Sequence, residues 1–178
     1  MKKQIIVDSC CDMTQDMRNE MGIQSIPLSM MLGDKEFVDD EILDIDGFKS
    51  ELRAYKGKTG SASPAPVRYQ EAIENCEADS YIVTLSRKLS GSHNNAMLGS
   101  YDATENGCNP ACVFDSKSAS AGETLIAIKI YELIKSGMEK SKIIETINQF
   151  IDNMKTYFVF DNYDTLQKMV DLGKSQAR

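Results

Sequence analysis

The chain has no tryptophan, a single histidine, four prolines and an aromatic content of only 7%. With His93 alone, imidazole-rich metal sites are excluded. The five cysteines (Cys10, Cys11, Cys76, Cys108, Cys112) make an odd count with no second thiolate pair at zinc-finger spacing. Neither a disulfide framework nor a structural metal site is therefore expected. Basic residues are outnumbered 20 to 27, giving a net charge of −7, so the basic stripe that nucleic acid requires is missing. No apolar run approaches the roughly 20 residues that span a bilayer. The N-terminal MKKQIIVDS meets Asp8 too early for a secretion signal, so a cytoplasmic location is expected. Three loop motifs are absent as well: G-x-x-x-x-G-K-[ST], G-x-G-x-x-G and the G-x-S-x-G elbow. No cofactor is expected.

What the chain does have is enough apolar content, 42% of 178 residues, to build the core of one ordinary domain. Ten methionines suit either flexible core filling or the adaptable wall of an apolar pocket. Short apolar runs bounded by polar turns predict strands at 4–7 (QIIV), 25–32 (SIPLSMML), 81–85 (YIVTL), 111–114 (ACVF) and 157–160 (YFVF). Gly33-Asp34 predicts a tight turn into a further strand at 35–38. Helical spacing predicts helices over 14–21 with a stop at Gly22, and over 46–55 behind an aspartate cap. Others are expected from a Ser63-Pro64 start through Cys76, over 92–101, over 122–135, and over 143–154 behind a Ser141 cap. Residues 161–172 have mixed helical character. The segment 56–66 (KGKTGSASPAP) reads as a loop, either a domain linker or a functional loop held against the body of the fold.

Strand–helix alternation of this kind implies an α/β fold with a mainly parallel sheet layered between helices. In such sheets ligands lie beyond the carboxyl ends of the strands. Asp8-Ser9, the turn from Ser86 to Ser92, and the turn from Asp115 through Ser116 to Ser120 all follow strands, so all three are expected on one rim. Ser90 and Ser92 read as helix N-caps, and Thr59, Ser61 and Ser63 bring further hydroxyls to a helix start. Helix N-termini and hydroxyl donors together favour an anion there.

Catalysis at this rim is poorly supplied. His93 would have to serve Ser92, its neighbour on a helix, and adjacent helical positions do not face each other. Asp8 and Asp115 suit paired acid–base carboxylates, or more simply the capping of their own turns. Many neutral hydroxyls with few bases favour binding over turnover. A hydrolase or phosphotransferase at the same rim is the alternative.

The ordered set Asp8-Ser9, Cys11-Asp12-Met13, Ile26-Pro27-Leu28, the 59–64 loop, Ser86-x-x-Leu89-Ser90-Gly91-Ser92 and Val113-x-Asp115-Ser116 with Gly122 resembles the DegV family of bacteria. The resemblance implies a two-lobed α/β protein without catalytic residues of its own. Such a protein binds a long-chain fatty acid and presents it to the catalytic subunit of fatty acid kinase. It also leaves room for transient contact with a membrane surface. By the same resemblance Thr59 and Ser90 hydrogen-bond the fatty acid carboxylate. Ser61 and Ser92 stand behind them, and Gly91, Asp8, Ser9, Asp115 and Ser116 complete the rim. Ser92-His93 replaces the threonine and tyrosine that are usual in the family. Residues 1–160 then correspond to an N-terminal lobe, and 161–178 to the start of, or linker to, a second one of about a hundred residues, an ordinary domain size.

Overall fold

The computed structural model describes residues 2–76 and 79–159. A parallel four-stranded sheet carries β1 (Lys3–Asp8), β2 (Ile23–Ile26), β6 (Asp79–Thr84) and β7 (Cys112–Asp115) in the order β2-β1-β6-β7. Ile6 pairs with Ile82 and Val7 with Val83, which puts the ends of β1 and β6 level. Both strands are buried almost throughout, with apolar centres (Ile5–Val7 and Tyr81–Val83), because both faces are covered. Their period-two alternation divides the core. Ile5, Val7, Tyr81 and Val83 face α5 (Ala121–Lys135) and α6 (Lys140–Asn153), meeting Ile126, Ile130, Ile143 and Ile147. Ile6 and Ile82 face α3 (Pro66–Glu74) and α4 (Ser92–Glu105), meeting Tyr69, Ile73, Ala96 and Ala103. Each fully buried aliphatic side chain contributes about 1.5–3 kcal/mol, so these two layers carry the stability.

A second, antiparallel sheet in the order β4-β3-β5 stands apart from the first: β3 (Ser29–Leu32), β4 (Lys35–Val38) and β5 (Thr59–Ala62). It is much less buried, and every residue of β5 is exposed. α2 (Ile45–Ala54) is tied to it through an edge-on Phe37–Phe48 pair at 5.0 Å and a Lys35–Glu51 ion pair at 2.7 Å. α1 (Gln15–Met21) begins at the Thr14 cap and ends at Gly22, whose φ of 63° is left-handed.

The α/β class with a parallel sheet between helix layers is the one expected, but several boundaries differ. Residues 25–32 are two strands in two sheets, because Pro27 has no N–H for a continuous ladder. The 56–66 segment holds β5, paired with β3 from Ser29↔Ala62 to Leu32↔Thr59. Its Gly, Ser and Pro content concealed an exposed edge strand. α3 starts one proline later than expected, with Ala65 as N-cap and Pro66 in the first turn, and no side chain caps it. Ser141 lies inside α6, whose N-cap is Glu139. Residues 157–159 are not a strand. Phe160 and the expected helical stretch and second-lobe linker from 161 onward lie outside the described residues.

Candidate ligand site at the carboxyl ends of the strands

The chain leaves β1 toward β2 on one side and leaves β6 toward β7 on the other. A crevice therefore opens between the ends of β1 and β6, at the switch point where such sheets take ligands. Asp8 bridges it. Its carboxyl accepts the Leu85 N–H at 2.8 Å through Oδ2 and the Cys10 N–H at 3.1 Å through Oδ1. One side chain thus fixes the turns after both central strands.

The third turn is held in a similar way. Asp115 Oδ1 accepts the N–H of Arg87 (3.1 Å) and of Lys117 (3.0 Å), while Oδ2 pairs with Arg87 Nε at 3.2 Å. Ser86 N donates to Ser118 O at 2.9 Å. The Ser116 hydroxyl is fully buried, donating to Ser118 O and accepting the Ser118 N–H, both at 3.1 Å. Ser116 and Asp115 are thus turn-builders.

The start of α4 meets the second sheet across this crevice. Gly91 is the N-cap, not Ser90 or Ser92, and has no side chain with which to cap. Ser92 is fully buried in the first turn, with its Oγ 3.0 Å from Ser90 Oγ. Ser90 Oγ also accepts the Ser92 N–H at 3.1 Å. Asn95 reaches out of α4 to Ser63 Oγ (3.1 Å) and Pro64 O (2.9 Å), drawing the end of β5 onto the helix. A Cβ on Gly91 would come within 3.0 Å of Ser63 Oγ, so glycine is what permits that approach. On the far side Ser9 Oγ accepts the Leu28 N–H at 3.0 Å and anchors the link into β3.

Between these parts lies a cavity of about 490 Å³, within the usual range for a small-molecule site. Ser61, Ser63, Ser90 and Gly91 supply polar groups, with Cys10 and Asp39. Leu28, Met30, Ala62, Leu85 and Leu89 supply an apolar wall. A neighbouring cavity of about 530 Å³ shares Asp39 and is lined by Ser9, Met13, Arg18 and Ile42 among others. Of the residues singled out in the sequence, Ser61, Ser90 and Gly91 face the first cavity and Ser9 the second. Asp8, Ser92 and Ser116 are buried behind the rim. Thr59 is exposed two positions along β5, opposite Leu32, and lines neither cavity.

Burial governs the electrostatics here. It pushes the Cys10 thiol up to about 12, helped by Asp8, so the sulfur in the cavity is no thiolate nucleophile at neutral pH. Burial raises the Asp8 carboxyl despite the N–H groups that it accepts, and lowers His93. The His93 ring sits 3.4 Å from Thr84 Oγ1, whereas the Ser92 hydroxyl is engaged with Ser90. Among the described residues there is no cluster of acids, thiols or imidazole suited to a metal ion.

Sequence reasoning missed Glu123. It is fully buried at the start of α5, and its pKa is raised to about 9 by desolvation and by Asp8. The signal was present: Glu123 shares a helical face with Ile126, Ala127 and Ile130, all fully buried.

A parallel sheet covered by helices on both faces, with a hydroxyl-rimmed, partly apolar cavity at its switch point, is an α/β architecture with a candidate ligand site. The family model described as "Uncharacterised protein, DegV family" matches residues 2–177, and the chain belongs to the DegV family. A DegV domain-containing protein of Streptococcus pneumoniae is 34% identical over 173 residues, covering 96% of this chain and 61% of its own length. The chain thus spans about 61% of the curated relative that it matches. Among solved structures, a Ruminococcus gnavus DegV family protein refined with vaccenic acid is 36% identical with a TM-score of 0.87, over 94% of this chain and 61% of that one. The Streptococcus pneumoniae fatty acid kinase (Fak) B3 protein loaded with linoleic acid is 31% identical with a TM-score of 0.76, over 85% and 55%.

Proposed function

We propose that the chain binds a long-chain fatty acid at the switch-point cavity and presents the carboxyl group to the catalytic subunit of a fatty acid kinase. The observation that carries this is the make-up of the cavity: serine hydroxyls together with an apolar lining of leucine, methionine and alanine. Burying a carboxylate requires several donors to offset its desolvation. Ser61 and Ser90 offer hydroxyls, and the N-terminus of α4, whose first N–H donates to Ser90, adds its dipole. Ser63 and Gly91 line the same cavity, with Ser92 holding Ser90. Thr59, two positions along the strand, passes the direct contact to Ser61 in this reading. Asp8, Ser9, Asp115 and Ser116 keep the turns in place. The solved relatives loaded with vaccenic and linoleic acids support the ligand class, and the Fak B3 relative supports the kinase partner.

The test is native mass spectrometry of the purified chain and of a Ser61→Ala/Ser90→Ala variant. Co-purified long-chain acids are expected on the wild type. Each lost charge-assisted hydrogen bond is worth about 1.5–3 kcal/mol, enough for the double variant to lose its lipid while its far-UV circular dichroism stays that of the folded wild type. Lipid retained by the folded double variant rules out this head-group site.

A further inference from the structure

Glu123 and Asp8 are both 0% exposed. Asp8 has two close N–H partners. No hydrogen bond of close geometry reaches either Glu123 oxygen among the described residues; the groups that bear on it are the Asp8 carboxyl and the Ser120 N–H. Two buried carboxyl groups in hydrogen-bonding reach of each other hold together only if one carries the proton. The two are not equivalent. Asp8 accepts two backbone N–H groups, at 2.8 and 3.1 Å, which favour its anionic form. Glu123 has one such group beside it, the Ser120 N–H, and it is outweighed by burial and by Asp8.

We propose that Glu123 is held as the neutral acid and donates its hydrogen to Asp8, making it the positioning residue behind the fatty acid site. The inference rests on the fatty acid reading for its ligand and deepens it. Asp8 is what clamps the Leu85 and Cys10 N–H groups, and these begin the turns on either side of the crevice. Glu123 fixes the orientation of that clamp from beneath. It also removes a negative charge. An anionic head group at the rim then meets one buried carboxylate, not two.

The surroundings allow the effect to be read cleanly. From the turn after β1, Cys10 and Cys11 bear on the pair, each with its thiol pushed up to about 12 by burial. From α3, Tyr69 bears on it with its phenol raised further still. From α4 comes the Ser92 hydroxyl and, from beyond β6, the Leu85 N–H. α6 packs on α5 through Ile143, Ile147 and Ile151. Glu123, raised to about 9, therefore loses its proton first among these thiols and phenols as pH rises. Affinity for an anion is full below about pH 9 and falls above it, because the second carboxylate then appears under the rim.

The experiment uses the whole chain and vaccenic acid as the probe. Binding to wild type, Glu123→Gln and Glu123→Leu is measured at pH 7.5 and pH 10. Gln keeps a donor for Asp8 and does not titrate. It is expected to match wild type at pH 7.5 and to hold at pH 10, where wild type weakens about tenfold for one pH unit above the transition. Leu fills the space without a donor and is expected to bind weakly at both. Two readouts do not involve lipid: the carboxyl-carbon NMR titration of Glu123, expected to break near pH 9, and hydrogen exchange of the Leu85 and Cys10 amides, expected to stay slow in Gln and to quicken in Leu. If vaccenic acid fails to bind while both of these behave as stated, the fatty acid reading falls and the Glu123–Asp8 clamp stands. An ordinary Glu123 titration near 4.5, a Gln variant that weakens at pH 10 as wild type does, or a Leu variant that binds like wild type overturns the clamp.

Discussion

Glu123 is a single residue whose cost and use can both be measured. In the unfolded chain it ionises near its ordinary 4.5, whereas in the fold its pKa is raised to about 9 by desolvation and by Asp8. Between those values the unfolded state releases a proton that the folded state keeps, so stability falls as pH rises from about 5 to about 9 and levels off beyond. The slope is about 1.4 kcal/mol per pH unit. Glu123→Gln removes it. The variant should therefore equal wild type near pH 4.5 and exceed it increasingly toward pH 9, by roughly 3 kcal/mol at pH 7. Urea melts at pH 5, 7 and 9 measure this, and parallel pH curves for the two proteins would show that Glu123 ionises inside the fold. The residue was legible in the sequence only as an acid on an otherwise apolar helical face. The cavity serines were legible as residue types but not as contacts. Ser61 and Thr59 look alike in the run KTGSAS, and only pairing with β3, Met30↔Ser61 and Leu32↔Thr59, separates the one at the cavity from the one at the hairpin end.

The elements divide into two groups of unlike burial. β1 and β6 are buried almost throughout, β5 is wholly exposed, and β4 is mostly so. Yet the exposed sheet supplies Met30, Ser61 and Ala62 to the cavity wall. Its tie to α4 runs through Asn95, and its tie to β1 through Ser9. Backbone amides of β3 and β5 should therefore exchange much faster than those of β1 and β6 in the free chain. Addition of vaccenic acid should slow β3 and β5 and leave the central strands unchanged. Hydrogen-exchange mass spectrometry reads both, and equal protection of the two sheets would contradict this division. The same contrast explains what the sequence could say. Strands buried on both faces announce themselves as apolar runs, and 4–7 and 81–85 were legible to within a residue or two. An edge strand of Thr, Gly, Ser and Ala carries no such pattern, since its pairing comes from the backbone and from the partner strand.

At the scale of the whole molecule, the net charge of −7 opposes an anionic ligand. Much of that field arises from exposed carboxylates, which salt screens, with a Debye length of about 10 Å at 0.1 M. Binding of vaccenic acid should therefore tighten modestly as sodium chloride is raised from about 10 mM to about 150 mM. That is the opposite of the steep weakening seen when a protein neutralises phosphates. Titration calorimetry at the two concentrations settles the sign. One wall of the cavity belongs to the exposed antiparallel sheet and the other to the buried parallel core. A substitution on the exposed wall, such as Ser61→Ala, can therefore reshape the cavity and leave the tightly packed interior undisturbed.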